Sequence, residues 1–207
     1  MAIDPQGNWD ALELSPIEHK AVHGSPHIDV QGVEKATRAL LLALGEDIDR
    51  EGLRDTPRRV ARMYEEICSG LHADLTYVLM PQFQETLDGI VSVKNIKFYS
   101  LCEHHLLPFF GQAHITYDPR PQKVVGLSKL ARLVETVSRR PQVQERMTRQ
   151  IADALWDQLH PKGIRVVIEA EHLCMAMRGV QQPGTVTTTV SLRGSLVSPV
   201  NVDAAHE

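Results

Sequence analysis

The chain has 207 residues, 43% of them hydrophobic, and a formal charge of −4. That length buries a sizeable core without disulfide staples, and the acidic balance argues against a general nucleic-acid binder. No apolar run approaches the roughly 18 residues that cross a bilayer, and MAIDPQGNWD is no secretory signal, so neither membrane nor export is expected and the expected compartment is the cytoplasm.

Residues 1–28 hold three prolines, two glycines and three histidines without sustained periodicity, and read as a flexible N-terminal tail. His19, His23 and His27 recur every fourth residue, but Gly24 and Pro26 break the helix that would align them. Residues 29–207 read as the folded domain, helical to about residue 75 and mixed after it. VEKATRALLLALG predicts a helix ending at Gly45, with Val33, Ala36, Leu40, Leu41 and Leu44 on a buried face. DTPRRVARMYEEICSGL predicts a second helix, capped by Thr56, opened by Pro57 and ended by Gly70, with an apolar stripe at Val60, Met63, Tyr64 and Ile67. Cys68 adjoins that stripe and reads as a buried thiol.

The pattern then changes. GIVSVKNIKFYSL and GQAHITYD alternate apolar and polar residues and predict strands. GLSKLARLVETVSRR predicts a helix capped by Ser128. PQVQERMTRQIADALWDQL predicts a longer one, with Val143, Met147, Ile151, Leu155 and Leu159 on one face. GIRVVIEAEHLC and GTVTTTVSLRG predict two more strands. Helices first, then strands and helices mixed, point to an α+β fold with a largely antiparallel sheet.

SLCEHHLLPFFG places a cysteine, an acid and two histidines in a row. Cys102 and His105 have the spacing of metal ligands, yet on a strand they would face opposite sides, so the chain must turn here, and Pro108 suits such a break. The third ligand candidate is Cys174, with His172 two residues before it. Sulfur and imidazole together favour zinc, Zn2+, with Fe(II) or another divalent ion as the alternative. Two arrangements stay open. A fourth protein ligand, another histidine, closes a structural site, or water in the fourth place makes the site catalytic, with His104 and His172 as proton donors beside it.

Basic residues gather at helix starts. Ser128, Lys129 and Arg132 open one helix, and Arg58, Arg59 and Arg62 lie in the first turns of another. A helix N-terminus with added cations is a phosphate site, although each charge taken alone reads rather as a solvated surface charge. Arg178 follows the second ligand segment. Glu145, beside Gln144 at the start of the long helix, can cap the dipole, or its two acceptor oxygens can take the N1–H and amino group of a guanine.

Together the stretches DTPRRVARMY, SLCEHHLLPFFGQAHITYDP, VVGLSKLARLVETVSRRPQVQERMTRQIADAL, HLCMAMRGV and TVTTTVSLRG resemble the GTP cyclohydrolase I family of the tunnelling-fold superfamily, over residues 31 to 195. The resemblance implies an antiparallel sheet with helices packed on one face, an N-terminal helical segment, and subunits forming ring-like barrels. It implies conversion of GTP to 7,8-dihydroneopterin triphosphate with release of formate, the entry to folate or tetrahydrobiopterin synthesis. Cys102, His105 and Cys174 match the zinc ligands, with water fourth. His104 and His172 match the acid–base histidines, and Glu145 with Gln144 the guanine-recognition pair. Arg59, Ser128, Lys129, Arg132 and Arg178 match positions lining the ribose and triphosphate pocket. The family assembles as a homodecamer of two stacked pentamers with interfacial active sites. The rivals are a nitrile reductase of the same fold, with a cysteine nucleophile and NADPH, and a non-catalytic protein with structural zinc.

Overall fold

The computed structural model describes residues 28–80, 82–83, 89–120 and 124–197. His19, His23 and His27, with the tail that carries them, lie outside the described residues. Two helices come first, α1 (Val30–Ala43) and α2 (Thr56–Ile67). Strands β1 (Gln82–Phe83), β2 (Val91–Cys102), β3 (Pro108–Asp118) and β4 (Val124–Val125) follow, then α3 (Leu127–Ser138), β5 (Pro141–Gln142) and α4 (Gln144–Leu159). The chain closes with β6 (Gly163–His172), the short α5 (Leu173–Ala176) and β7 (Val186–Gly194). The fold is mixed α+β.

Five strands form one sheet in the order β5-β2-β3-β6-β7. All neighbours are antiparallel except the short parallel pair of β5 with β2. Helices α3 and α4 pack on one face. Inward residues of β3, namely Phe109, Ala113, Ile115 and Tyr117, meet Leu130, Leu133 and Val137 of α3 and Met147, Ile151 and Leu155 of α4 in a single closed core. The period-2 pattern of β3 and the helical period of α4 are what bring these faces together. Outward positions carry polar groups, among them His114 and Glu169, whose Nε2 and Oε2 lie 3.3 Å apart. β2 is interrupted by a bulge between Val93 and Ile96, with Asn95 in the left-handed region at φ 62°.

Gly111 holds β3 against β6 near the end of the sheet where the site lies. A Cβ there would sit 1.9 Å from the carbonyl oxygen of Glu169, a backbone atom that cannot step aside. Gly111→Ala is expected to destabilise the fold by about 1–3 kcal/mol, the scale of an overpacked core. Thermal unfolding measures it, and an unchanged midpoint would contradict this packing.

Several helix boundaries differ from the sequence reading. Asp55, rather than Thr56, is the N-cap of α2, and its carboxylate pairs with Arg58 and Arg59. The helix ends at Ile67 with Cys68 as C-cap. Gly70 serves close packing, since a Cβ would meet the Thr136 carbonyl oxygen at 2.0 Å. Gly126, not Ser128, caps α3. The apolar face foreseen for α1 is not buried in the single chain: Leu40 and Leu44 are 58% and 69% exposed. Among the described elements α1 packs chiefly on α2, which leaves these leucines uncovered. Cys68 is buried as expected, and burial pushes its thiol pKa up.

Candidate metal centre and substrate site

The ligand turn is built by the backbone. β2 ends at Cys102, and β3 begins at Pro108. Between them the Cys102 N–H donates to the Leu107 carbonyl at 2.8 Å, and the Leu106 N–H returns to the Cys102 carbonyl at 2.8 Å. Leu106 takes the left-handed conformation at φ 53°, so the reversal falls at residues 103–107, with Pro108 opening the next strand. The Glu103 N–H donates to the Gln142 carbonyl at 3.0 Å, tying the turn to β5. The Arg146 guanidinium of α4 pairs with Glu103 and donates from Nε to Gln142 Oε1 at 3.0 Å. The bond from Arg146 holds the Glu103 carboxyl below its ordinary pKa.

Cys174 reaches the same place from the other segment. β6 stops at His172, and the single turn of α5 aims Cys174 differently from a continued strand. Cys102, His105 and Cys174 each offer a ligand atom, and these atoms lie within 4.8 Å of one another. Cys102 is buried, Cys174 half-buried and His105 exposed, so the group reaches the surface of the chain. Burial raises the Cys174 thiol, the adjacent Cys102 raises it further, and Arg178 opposes them. A thiol that resists ionising, beside a second thiol and an imidazole, fits a divalent cation that would stabilise the thiolate. The donor set therefore suits a metal of zinc's class.

Two histidines flank this group. His104 Nδ1 lies 3.7 Å from Cys102 Sγ. The His172 ring stacks on Phe109, with centroids 4.7 Å apart and planes within 2°. Phe109 and His172 are directly opposed across β3 and β6, which sets up that stack. His172 Nε2 meets Gln144 Oε1 at 2.7 Å, so this imidazole is held within the protein. Burial lowers the pKa of His172, and the negative charge of Glu145 pulls the other way. Glu145 itself is exposed in the first turn of α4.

With that geometry in hand, comparison with known proteins is decisive. The family model for GTP cyclohydrolase I matches residues 33–205. A GTP cyclohydrolase 1 of Carboxydothermus hydrogenoformans is 56% identical over 173 residues, 84% of this chain and 90% of that protein. The chain belongs to the GTP cyclohydrolase I family. Another relative, the GTP cyclohydrolase 1 of Mycolicibacterium vanbaalenii, is 57% identical over 177 residues, 85% of this chain and 88% of that protein. Among solved structures, the archaeosine synthase QueF-Like in its apo form has a TM-score of 0.45 and 14% identity, covering 54% of this chain and 99% of that one. So slight a likeness carries no argument.

The motifs that mark GTP cyclohydrolase I do not all meet in one chain. Arg178 joins the metal group, its guanidinium donating to His105 Nε2. Ser128 and Arg132 line a separate groove of about 860 Å3 between α2, α3 and β2, with Met63 and Lys94. Lys129 sits half-buried in the first turn of α3. Arg59 is 72% exposed and pairs with Asp55 at 3.6 Å. The Gln144 side chain is 2% exposed, and its carboxamide is committed to interior partners. Sequence reasoning passed over Glu103 and Arg146. The signal was present, since an acid inside CEHH and a base after Glu145 are odd company for a metal segment, but their pairing spans 43 residues.

Proposed function

We propose that this chain is a zinc-dependent GTP cyclohydrolase I, opening the imidazole ring of GTP, releasing formate and yielding 7,8-dihydroneopterin triphosphate for folate or tetrahydrobiopterin synthesis. The observation that carries this reading beside the family is the three-donor group Cys102, His105 and Cys174, with His105 exposed, His104 beside Cys102 and His172 capping the turn that carries Cys174. Zinc, when bound there, supplies Lewis acidity and a nucleophile from water near neutral pH.

The chain's own residues do the rest. Glu145 accepts the guanine N1–H and 2-amino hydrogens, a pairing that an ionised carboxylate makes with two oxygens. C8 of guanine is a poor electrophile until N7 takes a proton or a hydrogen bond, and His104 and His172 are the imidazoles at hand. Ring opening, loss of formate and opening of the ribose each move protons near neutral pH, which suits histidine. Ser128, Lys129, Arg132, Arg178 and Arg59 receive ribose and triphosphate, with the N-terminal dipole of α3 adding to the positive field.

These groups converge only if chains assemble. We place the fold in the tunnelling class, with sheets closing into ring-like barrels and pentamers stacking into a decamer. Two features support this. The outer edges of β7 and of most of β2 have no partner strand among the described residues, an unprotected state that sheets avoid. α1 leaves Leu40, Leu42 and Leu44 exposed. The Ser128–Arg132 groove runs along the β2 edge, where a neighbour's metal centre would dock. No described helix is long and apolar enough to cross a membrane, and we place the enzyme in the cytoplasm.

Incubation with GTP, reading pterin fluorescence after oxidation and assaying formate, tests the proposal. Both products are expected, lost on chelation and restored by zinc. A folded, zinc-loaded oligomer that produces neither would overturn it.

A further inference from the structure

Gln144 is one of the best-satisfied side chains in the protein. Its Nε2 donates to the Ile168 carbonyl at 3.0 Å and to the Thr187 carbonyl at 2.9 Å. Carbonyl oxygens only accept, so the amide orientation is settled: nitrogen toward β6 and β7, oxygen toward His172. Thr189 Oγ1 lies 3.1 Å from the same Nε2. Thr148 donates its hydroxyl to the main-chain carbonyl of Gln144 at 2.8 Å, which leaves Thr189 to donate to Thr148 at 2.6 Å and to accept from Gln144 Nε2. The two hydrogens of Gln144 Nε2 are shared among three acceptors, so the amide nitrogen is fully engaged. Gln144 Oε1 then has one partner, His172 Nε2 at 2.7 Å. An amide oxygen cannot donate, so the imidazole does, and its proton resides on Nε2. In the neutral ring the lone pair is on Nδ1.

We infer that Gln144 is a positioning residue, which acts through His172 by fixing its tautomer and ring rotation and does not contact guanine. The inference rests on the cyclohydrolase reading for its kinetic consequence, and on geometry alone for the tautomer. The stack on Phe109 fixes the plane of the ring but leaves it free to turn over by half a revolution. The hydrogen bond to Gln144 removes that freedom, because a flipped ring would present Cε1 to Oε1 in place of Nε2. Glu145, the next residue, remains exposed for the substrate, while Gln144 is 2% exposed. Adjacent residues of one helix lie about 100° apart around its axis, so this pair divides its work, one inward to the histidine and one outward to the base.

Two measurements decide. Magic-angle-spinning 15N spectra of histidine-labelled protein, with His172 assigned by its absence in His172→Ala, are expected to show the Nε2–H tautomer in the wild type. An Nδ1–H tautomer there overturns the inference, whatever any variant does. Gln144→Met is expected to lower kcat for GTP by about 10- to 100-fold, part of what an acid–base group supplies, with KM within about twofold. In the His172→Ala background the same substitution should add nothing. A rise in KM at constant kcat, or an undiminished effect without His172, assigns Gln144 to the substrate and sinks the proposal. A wild type that makes no pterin overturns the cyclohydrolase reading instead, and the spectrum still tests the tautomer.

Discussion

Cys102→Ala is expected to give a folded protein that holds zinc poorly and turns over GTP at least about a thousandfold more slowly. The fold should survive because the ligand turn does not depend on the metal. Its reversal is closed by backbone bonds between Cys102 and residues 105–107, and Glu103 is anchored to Gln142 through the main chain. The core beneath includes Phe98, Phe109 and the α3 and α4 residues, none of which needs an ion. Removing one buried sulfur costs roughly 1 kcal/mol, the scale of a small cavity, well short of unfolding. Two donors, His105 and Cys174, cannot hold zinc in the geometry that three define. Metal content after dialysis, circular dichroism and pterin formation on one preparation separate the cases. An unfolded chain would make the metal structural, and retained turnover would remove Cys102 from the site.

The Cys102, His105 and Cys174 group was legible in the sequence because its residue types are rare and chemically narrow. Three cysteines, two of them close to histidines, leave few uses for the sulfur. The strands and the buried face of α4 were legible for the same kind of reason, since period 2 over GQAHITYD and period 3.6 over Met147, Ile151, Leu155 and Leu159 admit one reading each. The turn between the ligands was legible as a necessity but not as a place. Pro108 drew attention because proline breaks patterns, whereas a leucine at φ 53° leaves no trace in composition. The face of α1 was misread because periodicity reports that a face is apolar, and says nothing of whether this chain or another covers it. The interior partners of Gln144 could not be read: its three acceptors come from β6 and β7, 24 to 45 residues away, and no local pattern encodes them.

Glu145→Ala is expected to cut kcat/KM for GTP by roughly a hundredfold or more, mostly through KM, and to erase the preference for guanine over adenine. Two accounts of this carboxylate compete, and magnitudes separate them. As a favourable charge in the first turn of α4 it contributes about 0.3–1 kcal/mol of stability and nothing to substrate choice. As the acceptor of two hydrogen bonds from a base it discriminates sharply, because adenine presents a lone pair at N1 where guanine presents a proton, and a carboxylate repels that lone pair. Exposure in the single chain is compatible with either, and the negative charge of Glu145 acts on His172 against the burial that lowers that histidine's pKa. Glu145→Gln sharpens the test. A glutamine keeps the length and loses one acceptor, turning an N–H toward the two donors of guanine. It should therefore approach the alanine variant in KM, while costing little stability. If both variants bind GTP as the wild type does and differ only in melting temperature, Glu145 is a helix cap, and guanine is recognised elsewhere.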